Sequence, residues 1–193
     1  MKTVILVANQ DEANHLSKDF NIIITGEGRS NVIKTLSKYI LNGDIKSDDK
    51  IINVGYVGAK GIKAGEIVKI GSVQHFIPSH TIKETTIYLN GKYTNNSHLN
   101  KYNVSCYTGD NFVEYDDIGP WFPDEFVCDM ELYYIALMFP EVISFKIVSD
   151  TLDYDEYKEA NFKESWEIVN NELKEVINEW IWSNATNGLF VWT

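Results

Sequence analysis

The chain alternates short, nearly uninterrupted apolar runs with segments whose apolar residues recur every three or four positions. "TVILVA" (3 to 8), "NIIIT" (21 to 25), "KIINVG" (50 to 55) and "SFKIVSD" (144 to 150) are of the first kind. Branched-aliphatic runs of that length read as strands covered on both faces. "SNVIKTLSKYIL" (30 to 41) is of the second kind, with Val32, Ile33, Leu36, Tyr39 and Ile40 as its apolar positions and Ser30 or Asn31 as cap. "DEANHLSKDF" predicts a briefer helix. "FKESWEIVNNELKEVINEWIW" (162 to 182) predicts a long amphipathic one through Trp166, Ile168, Val169, Leu173, Val176, Ile177 and Trp180. Strand alternating with helix implies a layered α/β sheet, with the last helix covering it.

The middle of the chain reads differently. "GEIVKIGSVQHFI" (65 to 77) and "HTIKETTIYLNGKY" (80 to 93) are β-rich, and the Asn-Gly of "LNGK" predicts a hairpin turn, hence an antiparallel or mixed section. With four prolines, no Gly/Ser-rich linker and no repeat, a single domain over residues 1–193 is expected.

Composition narrows the partners. A content of 44% hydrophobic and 23% charged residues is that of a globular protein. The formal charge of −11 repels phosphate backbones, so a nucleic-acid polymer is not expected and a small neutral or cationic ligand is. Cys106 and Cys128 are too few for a disulfide scaffold and form no zinc spacing, so both read as reduced, buried thiols and no metal is expected. The opening reads as a strand rather than a leader, and no run reaches the roughly 20 apolar residues of a membrane span, which predicts a cytoplasmic protein.

Four places carry candidate chemistry. Asp11 and Glu12 follow the first strand, where ligands collect in open α/β sheets, although either residue could instead favour a helix N-terminus. "NVGYVGAKG" (53 to 61) sets Gly55, Gly58 and Gly61 behind a buried strand, as a structural turn or a close approach to a ligand. Asp150 ends another buried strand, as a site acid or as one of several cap residues with Ser149 and Thr151. Glu131 heads "MELYYIALMF", too apolar to be a solvated face. A carboxylate there costs several kcal/mol unless partners satisfy it, which favours a site residue.

Taken in order, "ANQDE", "ITGEGRSNV", "INVGYVGAKGIKAGEIVKIG", "TGDNFV", "CDMELYYIA" and "FKIVSDTLD" resemble the nucleoside phosphorylase superfamily, nearest to the 5′-methylthioadenosine/S-adenosylhomocysteine nucleosidases. The resemblance implies a three-layer α/β/α sandwich around a mixed central sheet. It also implies a homodimer and hydrolysis of a 5′-modified adenosine to adenine and the sugar without a cofactor. Glu12 matches the general base on water, and Asp150 the acid that protonates N7 of the base. Glu131 with Met130 matches the pair that holds the ribose hydroxyls, while Phe112 and Val113 match the segment against the base. Ser149, Tyr56 and Lys146 complete the implied substrate-binding set. Tyr56 and Lys146 stand where these enzymes carry Ser or Thr and Arg, Asn9 replaces a frequent Met, and the chain is short around 80 to 105.

A purine nucleoside phosphorylase and a non-catalytic nucleoside-binding relative are the alternatives. A phosphorylase needs a cationic cradle, and Asn53 stands where that branch carries Arg. Arg29 could reach a phosphate, yet Glu12 would repel an anionic nucleophile, so water is favoured.

Overall fold

The structure, a computed structural model, describes residues 1–77, 86–89, 99, 101–159 and 161–187, without the side chains of 101, 102 and 179–187. The expected Asn90-Gly91 turn and the Trp180 side chain lie outside the described residues. Strands β1 (Thr3–Val7), β2 (Ile22–Ile24) and β8 (Ile143–Asp150) fall where the apolar runs predict them. The third run extends well past its apolar part. Strand β3 (Lys50–Lys60) carries the whole glycine segment to Lys60, so what reads as a loop is pleated backbone. β4 (Ile67–His75), β5 (Ile87–Tyr88), β6 (Lys101–Thr108) and β7 (Phe126–Asp129) complete the sheet of the described residues.

β1 pairs in parallel with β2 and β3, and β3 in parallel with β8, while β3–β7 and β4–β8 are antiparallel. The mixed sheet is therefore as expected, but it is not a flat central layer. β3, β7, β6, β4 and β8 pair in turn until β8 returns to β3, closing a ring of strands. Closure satisfies both edges of every ring strand, and it is built on the length of β3, which pairs β8 along one stretch and β7 at its far end.

Alternation along β1 shows how the faces are used. Val4 and Leu6 pack with Val32 and Leu36 of helix α2 (Gly28–Leu41) and with Leu132 and Ile135 of α3 (Leu132–Met138). Ile5 and Val7 pack with Trp166, Val169 and Leu173 of α5 (Lys163–Asn187). Each fully buried side chain of this kind stabilises by about 1.5–3 kcal/mol relative to exposure. Helix α2 starts earlier than Ser30 or Asn31 would set it, with Glu27 as N-cap. Its Ile33 and Ile40, two turns apart, face outward, leaving Val32 and Leu36 as the buried line. The two short helices are α1 (Gln10–Asn14) and α4 (Tyr154–Glu159). Cys106 and Cys128 are buried free thiols, as read from the sequence.

Candidate active site

Where β1, β7 and β8 end around the middle of β3, the chain leaves a cavity of about 440 Å³. Glu12, Tyr56, Phe112, Val113, Met130, Glu131, Ser149 and Asp150 all line it. Residues scattered over most of the sequence thus face one hollow. Lys146, the remaining expected residue, does not line it. That side chain is fully buried in β8 and pairs with Asp129 at 2.9 Å.

Glu12 is not the helix cap. Asn9 is, accepting from the Glu12 backbone N–H at 3.0 Å, while Asp11 lies exposed. This frees the Glu12 carboxylate to fold back: Oε2 accepts from the Ala8 N–H at 2.7 Å and Oε1 from the Tyr56 N–H at 2.9 Å. Room for it comes from Gly55, where a Cβ would stand 2.6 Å from Oε1. Burial raises the Glu12 pKa, against the pull of Lys146 and the backbone N–H groups. The result is a carboxylate with fixed donors and heightened basicity.

Asp150 repeats the arrangement one step along β3. A Cβ on Gly58 would stand 2.7 Å from Asp150 Oδ1, and the β3–β8 register shifts at that point. Such irregularities re-aim side chains beside functional sites. Oδ1 accepts from the backbone N–H of Leu152 at 2.9 Å, and Leu152 is held in the left-handed region at φ 65°, uncommon for a non-glycine residue. The cap of α4 is supplied instead by Asp153, whose Oδ1 accepts from Asp155 and Glu156.

Ser149 Oγ lies 2.6 Å from Asp150 Oδ2 and 3.0 Å from the Val57 carbonyl oxygen. A hydroxyl carries one hydrogen, and both neighbours are acceptors while Asp150 is ionised. With a proton on Oδ2 the carboxyl donates to Ser149, Ser149 donates to Val57, and both contacts are satisfied. Burial raises the Asp150 pKa in the same direction, opposed by its hydrogen-bond donors.

Asp129 and Glu131, two positions apart in "CDMELYYIA", differ in kind. Asp129 is fully committed to structure: Oδ1 accepts from Thr108 Oγ1 at 2.6 Å, and Oδ2 from Lys146 Nζ and the Leu132 N–H. Glu131 accepts from the Gly28 N–H at 2.7 Å through Oε1. Burial first, then Asp129, push its pKa up to about 8, although Lys146 and the Gly28 N–H act the other way. Lys146 keeps its proton despite burial because Asp129 and Glu131 hold its pKa above the ordinary value.

Aromatic rings close the cavity near Asp150. Phe112 meets Tyr154 edge-on at 5.2 Å and Tyr157 at 5.8 Å. Tyr56 turns away toward α5, where its hydroxyl accepts from Trp166 Nε1 at 2.7 Å. Tyr154, Tyr157, Asn9 and Glu27 also line the hollow, and sequence reasoning assigns them no role there. The spacing of the two tyrosines, three apart on α4, is the signal that would have found them.

Glu12, Glu27, Asp129, Glu131 and Asp150 are the acids of the wall, and no Lys, Arg or His lines it among the described residues. Asn53 donates to the Leu6 carbonyl and accepts from Ser144 within the sheet. Arg29 lies 3.8 Å from Asp110 and stacks over Tyr134. No group of three or more His, Cys, Asp or Glu among the described residues is placed to hold a metal ion, and no described helix is long and apolar enough to cross a membrane.

Comparison with solved structures gives close matches in fold. A 5′-methylthioadenosine/S-adenosylhomocysteine nucleosidase from Helicobacter pylori, solved with butyl-thio-DADMe-Immucillin-A, superposes with a TM-score of 0.67 at 16% identity, over 93% of this chain and 98% of that one. The nucleosidase from Neisseria meningitidis, with methylthio-immucillin-A, gives 0.70 at 15% identity, over 92% and 99%. The futalosine hydrolase of Helicobacter pylori gives 0.66 at 15%, over 93% and 98%. No protein-family model matches the sequence, and no curated protein does.

Proposed function

From the fold it shares with solved nucleosidases, we propose that this protein hydrolyses the N-glycosidic bond of a purine nucleoside, in the sequence reading a 5′-modified adenosine, to free adenine and the sugar. One observation carries the proposal. Glu12, Glu131 and Asp150 face one nucleoside-sized cavity, each in a different hydrogen-bonding environment.

Breaking the bond from C1′ to the base leaves an oxocarbenium-like sugar and a poor anion. Asp150, raised by burial and linked to Ser149, donates its proton to N7 so that the base leaves neutral. Glu12 takes a proton from water as the water oxygen bonds to C1′. Its two backbone donors hold the carboxylate still during that step. Glu131 accepts from the ribose hydroxyls through Oε2, which has no partner among the described residues while Oε1 is held by the Gly28 N–H, and the acidic wall stabilises the developing positive charge. Phe112 lies against the base.

The same wall favours water over phosphate as nucleophile. Among the described residues it offers an anion no cation, and Arg29 is directed to Asp110. The test is incubation of the purified protein with a panel of nucleosides, with and without phosphate, identifying base and sugar by mass spectrometry. Free adenine and free sugar, at a rate indifferent to phosphate, are expected. Sugar 1-phosphate would indicate a phosphorylase, and binding without product a non-catalytic relative.

A further inference from the structure

Once the base is assigned to Asp150 and Phe112, the ribose hydroxyls to Glu131 and the water to Glu12, one wall of the cavity remains without a task. It consists of Asn9, Glu27 and Tyr157, from the start of α1, the N-cap of α2 and the body of α4. Resting on that reading of the site, we infer that the substituent at C5′ is a hydrogen-bond donor, a hydroxyl or an ammonium, received by this polar wall.

The amide of Asn9 is fixed in one orientation. Its Oδ1 accepts from the Glu12 N–H at 3.0 Å and its Nδ2 donates to Glu27 Oε1 at 2.8 Å. The flipped amide would lose both bonds. Glu27 Oε1 is thereby occupied. Its Oε2 accepts no hydrogen bond from the described residues and remains available to a donor at the cavity wall. The Tyr157 phenol faces the same space: burial, then the charges of Glu27, Glu12 and Glu131, push its pKa up to about 12, so it stays protonated.

A thioether brings no donor to these groups. Seating one here would cover the open side of Glu27 Oε2 and the Asn9 amide without replacing the hydrogen bonds that water makes there. A hydroxyl or ammonium replaces the water instead. The ammonium also meets an acidic wall in which the described residues place no competing cation. Sites built to hydrogen-bond a substrate group reject analogues lacking it far more strongly than apolar pockets reject a missing methylene.

The test compares adenosine, 5′-amino-5′-deoxyadenosine and 5′-methylthioadenosine as substrates, and in parallel as ligands by calorimetry, for the wild type and for Glu27→Ile and Glu27→Gln. Glu27 is exposed and its side chain makes one hydrogen bond among the described residues, so these variants keep the fold. The wild type should favour the hydroxyl or amino compound over the methylthio compound by roughly 10²-fold in kcat/KM, and Glu27→Ile should remove most of that ratio. Glu27→Gln separates the two donors: loss confined to the amino compound assigns the ammonium, and equal loss for both assigns the hydroxyl as sufficient. Preference for the methylthio compound, or a ratio unmoved in Glu27→Ile, overturns the inference while leaving the nucleosidase reading intact. If none of the three releases its base, that reading fails, and the calorimetric order decides the inference alone. Tighter binding of a donor compound sustains it; equal or reversed affinity, or no binding, ends it.

Discussion

Glu131 carries an unfavourable burden in the free protein. Its carboxyl would titrate near 4.5 in the unfolded chain but near 8 when folded, because burial and Asp129 resist its ionisation. Between those values the folded state holds a proton that the unfolded state has lost. Stability therefore falls as pH rises from about 4.5 to about 8 and levels off above, a loss on the order of a few kcal/mol. Glu131→Gln should make that slope shallower in denaturant titrations, the remainder coming from Glu12 and Asp150, whose pKa values burial also raises, and leave the protein more stable than wild type at pH 9, while weakening nucleoside binding by about tenfold or more. Identical pH slopes in the two proteins would contradict this. The residue was legible in sequence because a carboxylate at the head of "MELYYIALMF" has no local explanation. Asp129, two positions earlier, carried the same signal and proved structural. Its partners Thr108 and Lys146 come from other strands, which no local pattern reveals.

At the level of the element, β3 seats the two acids to which the proposal gives the proton transfers. Gly55 and Gly58 read as a loop because glycine is a turn signal, yet both lie in extended backbone where the missing Cβ makes room for Glu12 and Asp150. Gly55→Ala would push the Glu12 carboxylate aside by overlap at 2.6 Å, and Gly58→Ala would meet both Asp150 Oδ1 at 2.7 Å and the buried Leu152 side chain at 2.9 Å. Each should lower kcat/KM by about 10²-fold. Because Glu12 and Asp150 can swing toward the cavity, melting temperatures should fall by only a few degrees. Full activity in both variants would remove the two acids from the chemistry. Glu12 shows a related limit of sequence reading: its role depended on whether Asn9 or Asp11 began the helix, a difference of two positions at an element boundary.

Across the whole molecule, the closed sheet sets where the candidate site lies. In the closed sheet, β7 pairs with the far end of β3 and β8 with its middle, which brings Asp129–Glu131 beside Gly58 and Asp150. That closure was not readable from apolar runs, which report burial on two faces but not which strand lies beside which. The α/β class and the long covering helix were readable, since Trp166, Val169, Leu173 and Val176 bury along one line of α5.

Asp150 is proposed to deliver a proton to the departing base in this cavity, and the dependence of rate on the leaving group probes that step. Rates for wild type and Asp150→Asn should be compared on a purine nucleoside and on a nitrophenyl riboside, whose leaving group needs no protonation. Asp150→Asn is predicted to lose about 10²–10⁴-fold on the purine nucleoside while keeping most of the wild-type rate on the nitrophenyl compound. Equal losses on both substrates, or an unimpaired rate on the nucleoside, would contradict it.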